Sequence, residues 1–148
     1  MTMQRRQWMV AIGVLVGLAG CSADPDEAAL RARIDQLQSD GEQGRVAELM
    51  DAVADDFSGQ QDSYDRQQLR MLLLAATRRF REIGVTRLDT RIEMRGVHAS
   101  VDLKLLLTGG SGGLLPEQGR TLDLQTRWRV DGGRWQLIEA SWDGDLAF

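Results

Sequence analysis

The sequence predicts an α+β domain, in which three N-terminal amphipathic helices precede a four-stranded antiparallel sheet. Three observations lead there. Apolar residues recur every three to four positions as far as Ile83, the period changes to two from Val85 onward, and glycine-rich turns punctuate the second half. A length of 148 residues, 43% apolar and 27% charged, suits one globular domain. The net charge of −4 excludes the broad basic face of a nucleic-acid binder. A single cysteine excludes an intramolecular disulfide and a multi-cysteine metal site, and a single histidine removes the His pairs of most zinc enzymes. No metal or cofactor is expected.

The first 20 residues carry no acid. Arg5 and Arg6 form a basic start, and Trp8 to Ala19 is an apolar run of 12 residues. A membrane-spanning helix needs about 20 apolar residues, so this run fits the core of a signal peptide instead. It ends in Leu18-Ala19-Gly20-Cys21, which resembles the lipobox of bacterial lipoproteins. The resemblance covers residues 1–21. It implies a cleaved signal peptide (1–20), an acylated anchor and tether (21–26), and a diacylglycerol thioether on Cys21. Three acyl chains hold a protein stably on a bilayer, each buried CH₂ contributing about 0.8 kcal/mol. Ser22, where Asp would favour inner-membrane retention, implies the outer membrane, facing the periplasm.

The domain proper spans 27–148. Asp24-Pro25-Asp26-Glu27 reads as a helix start, with Asp24 as N-cap. Leu30, Ile34 and Leu37 then mark one helical face as far as Gly41. Val46, Leu49, Met50 and Val53 repeat the pattern in a second helix that runs into Ala54-Asp55-Asp56-Phe57. After the polar connection 58–63, a third helix starts near Asp62 or Ser63. Leu69, Leu72, Leu73, Ala76, Phe80 and Ile83 form its stripe, and Gly84 closes it.

Four strands follow. Leu88, Thr90, Ile92 and Met94 alternate with charged residues, and a turn at Arg95-Gly96 leads to Val97, Ala99, Val101, Leu103 and Leu105. Met94 opposite Val97 and Ile92 opposite Ala99 would put both apolar faces on one side. A glycine-rich loop (108–119) carries Leu114-Leu115-Pro116. A third strand places Leu122, Leu124, Thr126, Trp128 and Val130 on one face. Asp131-Gly132-Gly133-Arg134 is a hairpin turn into a last strand, Trp135 to Trp142.

The helix ending Ala54-Asp55-Asp56-Phe57, the long third helix, the Asp131-Gly132-Gly133 hairpin and the terminal Trp135-Gln136-Leu137 to Trp142 together resemble the nuclear transport factor 2-like (NTF2-like) superfamily, also called SnoaL-like or cystatin-like α+β domains. The resemblance spans about 27–143. It implies that the helices pack on a strongly bent sheet with a cone-shaped cavity between them, and a membership of isomerases, dehydratases, hydrolases, ligand binders and adaptors, so the fold does not by itself determine the activity.

On this alternation the cavity is lined by Thr90, Met94, Leu103, Leu124, Thr126 and Trp128, an almost wholly apolar set. With a two-residue loop at Gly132-Gly133, Thr126 faces Glu139, which then points inward as a desolvated carboxylate suited to general-base work. The alternative is a rim position, or a β-bulge that turns Glu139 outward. Tyr64, His98, the Asp55-Asp56 pair, the glycine run and Arg78-Arg79-Arg81 all read more simply as structural or solvated. Ile138, Ala140 and Trp142 fall on the outer sheet face and are candidates for a dimer or envelope-protein interface, unless the N-terminal segment or the Leu146-Ala147-Phe148 tail covers them. Two functional readings stay open. One is a non-enzymatic lipoprotein module that binds a partner or a small apolar ligand. The other is a cavity isomerase, dehydratase or hydrolase using Glu139.

Overall fold

A computed structural model describes residues 26–111 and 118–143. The lipobox and Cys21, the Leu114-Leu115-Pro116 loop tip and the Leu146-Ala147-Phe148 tail lie outside the described residues.

Helix α1 (Glu27–Glu42) is capped by Asp26, whose side chain accepts from the Ala29 backbone N–H. Asp26 thus takes the capping role assigned to Asp24, because its carboxylate reaches the third amide of the first turn. Its buried residues Leu30 and Ile34 are four apart, on one face. Helix α2 (Val46–Asp51) is only 6 residues long. The chain then leaves the helix as strand β1 (Val53–Gly59), so Ala54-Asp55-Asp56-Phe57 is strand and not a helix end. The Val46–Val53 spacing suits a helix locally, but sheet pairing takes the backbone donors from Val53 onward. A two-residue strand β2 (Tyr64–Asp65) precedes α3 (Arg66–Arg79). Asp65 and Gln68 form a reciprocal capping box there, so the helix starts at Arg66 and not at Asp62 or Ser63.

Helix α3 ends at Arg79, and strand β3 (Glu82–Arg95) begins before the expected stop at Gly84. Phe80 and Ile83 continue the helical stripe in sequence, yet Ile83 and Gly84 pair with Gly109 and Thr108 of β4 (His98–Gly110). Strands β5 (Gln118–Asp131) and β6 (Arg134–Trp142) complete one six-stranded sheet in the order β2-β1-β6-β5-β4-β3. The expected four antiparallel strands form its larger part. The two missed strands extend it beyond β6, β1 running parallel to β6.

Two registers decide which side chains face the core. At the β3–β4 hairpin Arg95 pairs with His98 and Met94 with Ala99, so Gly96-Val97 is the turn. Gly96 takes a φ of +63°, which this turn requires and a side chain resists. The slip from the predicted pairing is two residues, an even number, so the facing of both strands survives. Val97, expected on the core face, lies instead in the turn and is exposed. The β5–β6 hairpin pairs Val130 with Trp135 and Trp128 with Leu137 as predicted, and Gly132 and Gly133 both have positive φ. Beyond Trp128 the register breaks: Arg127 pairs with Glu139 and Thr126 with Ala140, leaving Ile138 as the extra residue of a β-bulge. A second bulge at Leu88 leaves that leucine 54% exposed. The helices pack on one sheet face over a core that includes Leu30, Ile34, Met50, Phe57, Val101 and Trp128. Every described helix, strand and core residue lies at Asp26 or later, so a chain starting at Ser22 keeps all of the described elements.

Candidate functional site

A cavity of about 320 Å³ lies between the helices and the sheet. Sheet residues Leu103, Leu105, Leu122, Leu124, Thr126 and Trp128 form its floor, and Leu137, Ala140 and Trp142 of β6 extend it. Ile34 and Leu37 of α1 and Leu49 of α2 contribute one wall. Leu69, Leu72, Leu73 and Ala76 of α3 form the other, and Phe80 and Ile83 close one end. The α3 residues are the helical stripe seen in the sequence, used here as a cavity wall. Gly109 belongs to the same lining, and a Cβ there would come within 2.8 Å of the Phe80 ring, so the strand and the ring approach closely only because the residue is glycine.

Gln38, Thr77, Arg87 and Thr126 of the described lining are already occupied. Thr126 donates its hydroxyl to the Val101 carbonyl at 2.8 Å and accepts from the Trp128 indole N–H at 2.9 Å. Gln38 donates to the Val85 carbonyl, Thr77 donates to the Leu74 carbonyl, and Arg87 is paired with Asp35. The described lining contains no carboxylate, imidazole, phenol or thiol. Burying unpartnered polar atoms is costly, so these internal bonds leave a surface that favours an apolar guest.

Of the six residues predicted to line the cavity, Leu103, Leu124, Thr126 and Trp128 do so. Thr90 lies instead in a shallow polar groove between α1 and β3, because β3 is the edge strand and α1 crosses it there. Met94 packs against the core beside the hairpin turn, away from the cavity lining.

Glu139 does not enter the cavity. The bulge at Ile138 turns it outward, where it accepts from Arg127 at 3.2 Å with about half its side chain in solvent. The same bulge reverses the next residues. Ala140 and Trp142, read from the sequence as an outer interface, are buried in the cavity lining. Ile138 alone of that trio stays off the lining, half-buried. One inserted residue therefore accounts for all three displaced assignments. Tyr64 packs its ring 5.5 Å from that of Trp142. His98 is exposed at the start of β4. Asp55 and Asp56 are exposed on β1, and Asp56 pairs with Arg129 of β5. That contact holds the Asp56 carboxyl below the usual carboxylate range and the Arg129 guanidinium above its own.

No family model matches the chain, and none of the curated proteins matches it. Solved structures do. An NTF2-like protein of unknown function from Pseudomonas putida superposes with a TM-score of 0.69 at 14% identity, over 80% of this chain and 86% of that one. A candidate dehydratase of the NTF2-like family from Streptomyces avermitilis gives 0.67 at 16% identity, over 80% and 95%. Bd1075 of Bdellovibrio bacteriovorus gives 0.68 at 9% identity; the match covers 78% of this chain and only 40% of Bd1075. With the helices on one sheet face and the cavity between them, the chain has the NTF2-like, or cystatin-like, α+β fold.

Proposed function

We propose that this protein is an envelope lipoprotein, tethered through Cys21 to the periplasmic face of the outer membrane, whose NTF2-like domain holds a small apolar molecule without transforming it. The cavity carries the binding half of this reading. It is walled mainly by aliphatic and aromatic side chains, Gln38, Thr77, Arg87 and Thr126 bond within the protein, and its volume falls at the small end of ligand pockets. The basic start, short apolar run and Leu-Ala-Gly-Cys ending support the anchor. The dehydratase assignment of the Streptomyces avermitilis relative is not carried over, because the described lining offers no group to take a proton. The enzymatic alternative rested on an inward Glu139, which instead pairs with Arg127. The Trp142 interface loses its basis in the same way, since that indole is spent on the cavity.

The test uses residues 22–148, purified gently from a periplasmic preparation. Native mass spectrometry is expected to show an extra mass that denaturation releases, and the emptied protein to take up the neutral dye N-phenyl-1-naphthylamine saturably. Ala76→Phe, which projects a ring into the cavity from α3, should weaken dye uptake at least tenfold, while Glu139→Gln leaves it unchanged. A bare protein that takes up no dye would overturn the binding reading. For the anchor, Cys21→Ala should abolish palmitate labelling of the full chain; equal labelling would remove the lipoprotein assignment.

A further inference from the structure

Helix α3 separates the cavity from solvent, and its outer face differs from the rest of the molecule. Between Asp65 and Glu82 the chain holds five arginines and no acid, within a protein whose net charge is −4. Leu69, Leu72, Leu73 and Ala76 face the cavity. The helical step of about 100° then sets Met71, Ala75 and Arg78 on the opposite side, while Leu74 still packs against the core. Met71 is 54% exposed, and Arg70, Arg78, Arg79 and Arg81 are exposed around it. Among the described residues, Arg70, Arg78 and Arg81 make no ion pair, whereas the exposed Arg31, Arg95 and Arg127 do. No residue of α3 is fully buried, and its packing partners are β1, β2 and α2.

We propose that this face of α3 docks on an anionic lipid surface. Exposed apolar side chains flanked by cations, with no acid among them, are what a helix lying in a bilayer interface presents. Guanidinium groups bind phosphate oxygens in pairs, and their long stems let the charge stay with the headgroups while Met71 enters the acyl boundary. The remainder of the molecule is acidic and is repelled by such a surface, so only one orientation brings it close. In that orientation the wall separating the cavity from the bilayer is α3 itself. The docking inference goes beyond the ligand-binding reading and does not rest on it, since it needs neither a loaded cavity nor an acylated Cys21.

The chain beginning at Ser22, which lacks the lipid anchor, is mixed with vesicles of phosphatidylcholine alone or with phosphatidylglycerol, and sedimented. Binding is expected to the anionic vesicles at low salt, and to be lost at high salt. Each arginine neutralised among Arg70→Gln, Arg78→Gln and Arg79→Gln should weaken partition about fivefold, and the triple variant roughly a hundredfold. Met71→Ser should weaken binding while leaving its salt dependence intact. Arg91→Gln, an exposed arginine on β3, should leave it unchanged. Circular dichroism checks the triple variant; if that chain is misfolded, the single Arg70 and Arg78 variants carry the same test. A wild-type chain that stays in the supernatant with anionic vesicles overturns the proposal. So does binding that survives loss of the three arginines, or that falls equally with Arg91→Gln.

Discussion

Trp128 is 2% exposed and lies at the centre of the cavity floor. An indole in that position must bury its N–H, and the Thr126 hydroxyl two residues away accepts it. Thr126 was legible as a core-facing position from the alternation of β5, but its bond to the Val101 carbonyl appears only when β4 lies alongside. Thr126→Val keeps the shape and removes the acceptor, leaving the indole donor unpaired, so a loss of about 1–3 kcal/mol is expected in urea unfolding. An unchanged midpoint would mean that the indole finds another partner. Asp40 shows the reverse case. It is an acid at 2% exposure, bonded to Arg45 and Gln36, and nothing in the local pattern of α1 marks it as buried. Its burial depends on where α2 leaves α1, which is a tertiary matter.

At the scale of elements, one inserted residue in β6 has the largest consequence. Ahead of Ile138, Trp135 and Leu137 face the core; beyond it, Ala140 and Trp142 do. Strict alternation cannot hold both pairs inside, and the bulge reconciles them by leaving Glu139 with Arg127. Inserting one alanine after Glu139 should shift the alternation by one residue and turn Ala140 and Trp142 outward. Losing a buried Trp costs about 3–5 kcal/mol, a large part of the roughly 5–15 kcal/mol that holds a domain folded. The expected outcome is loss of cooperative thermal unfolding. An insertion variant that melts as the wild type does would show that the bulge absorbs the second extra residue as well. The loop before β2 shows a similar dependence on its neighbours. Gln60, Gln61 and Asp62 all take positive φ, an arrangement costing about 1–2 kcal/mol per residue. It persists because Gln60 bonds both the N–H and the carbonyl of Trp142.

Across the whole molecule, the parallel pairing of β1 with β6 joins the first half of the chain to the last, and Arg129 braces that join. From β5 it reaches over β6 to Asp56 on β1, with two contacts at 3.0 Å, and also holds Asp131. The hydrogen bond to Arg129 lowers the Asp56 carboxyl from its ordinary value. A carboxyl lowered in the folded state stabilises above its unfolded pKa, and that contribution disappears as pH falls through the folded value. Wild-type protein should therefore lose stability from about pH 5 downward, and Asp56→Asn should lose less over the same range while starting less stable at pH 7. Urea midpoints at pH 7 and pH 3 for both chains check this; equal losses would mean that the pair contributes nothing. Both partners are partly exposed, so added salt should shrink the difference.

The sequence by itself determined the features that depend on neighbours along the chain. These are the helical faces of α1 and α3, the alternation of β3 to β5, the glycine turn at Gly132-Gly133, and the basic, acid-free segment from Arg66 to Arg81. Each follows from a local period, a backbone preference or a local count. Tertiary structure decided what depends on distant partners. Strand β1 exists because β6 offers it an edge, and β3 takes residues from the expected end of α3 because β4 is long enough to pair with them. Glu139 left the cavity and Trp142 entered it because a sheet can absorb one unpaired residue without local warning. Side-chain period reports which face a residue takes only while the register holds, and register is set by the strand alongside.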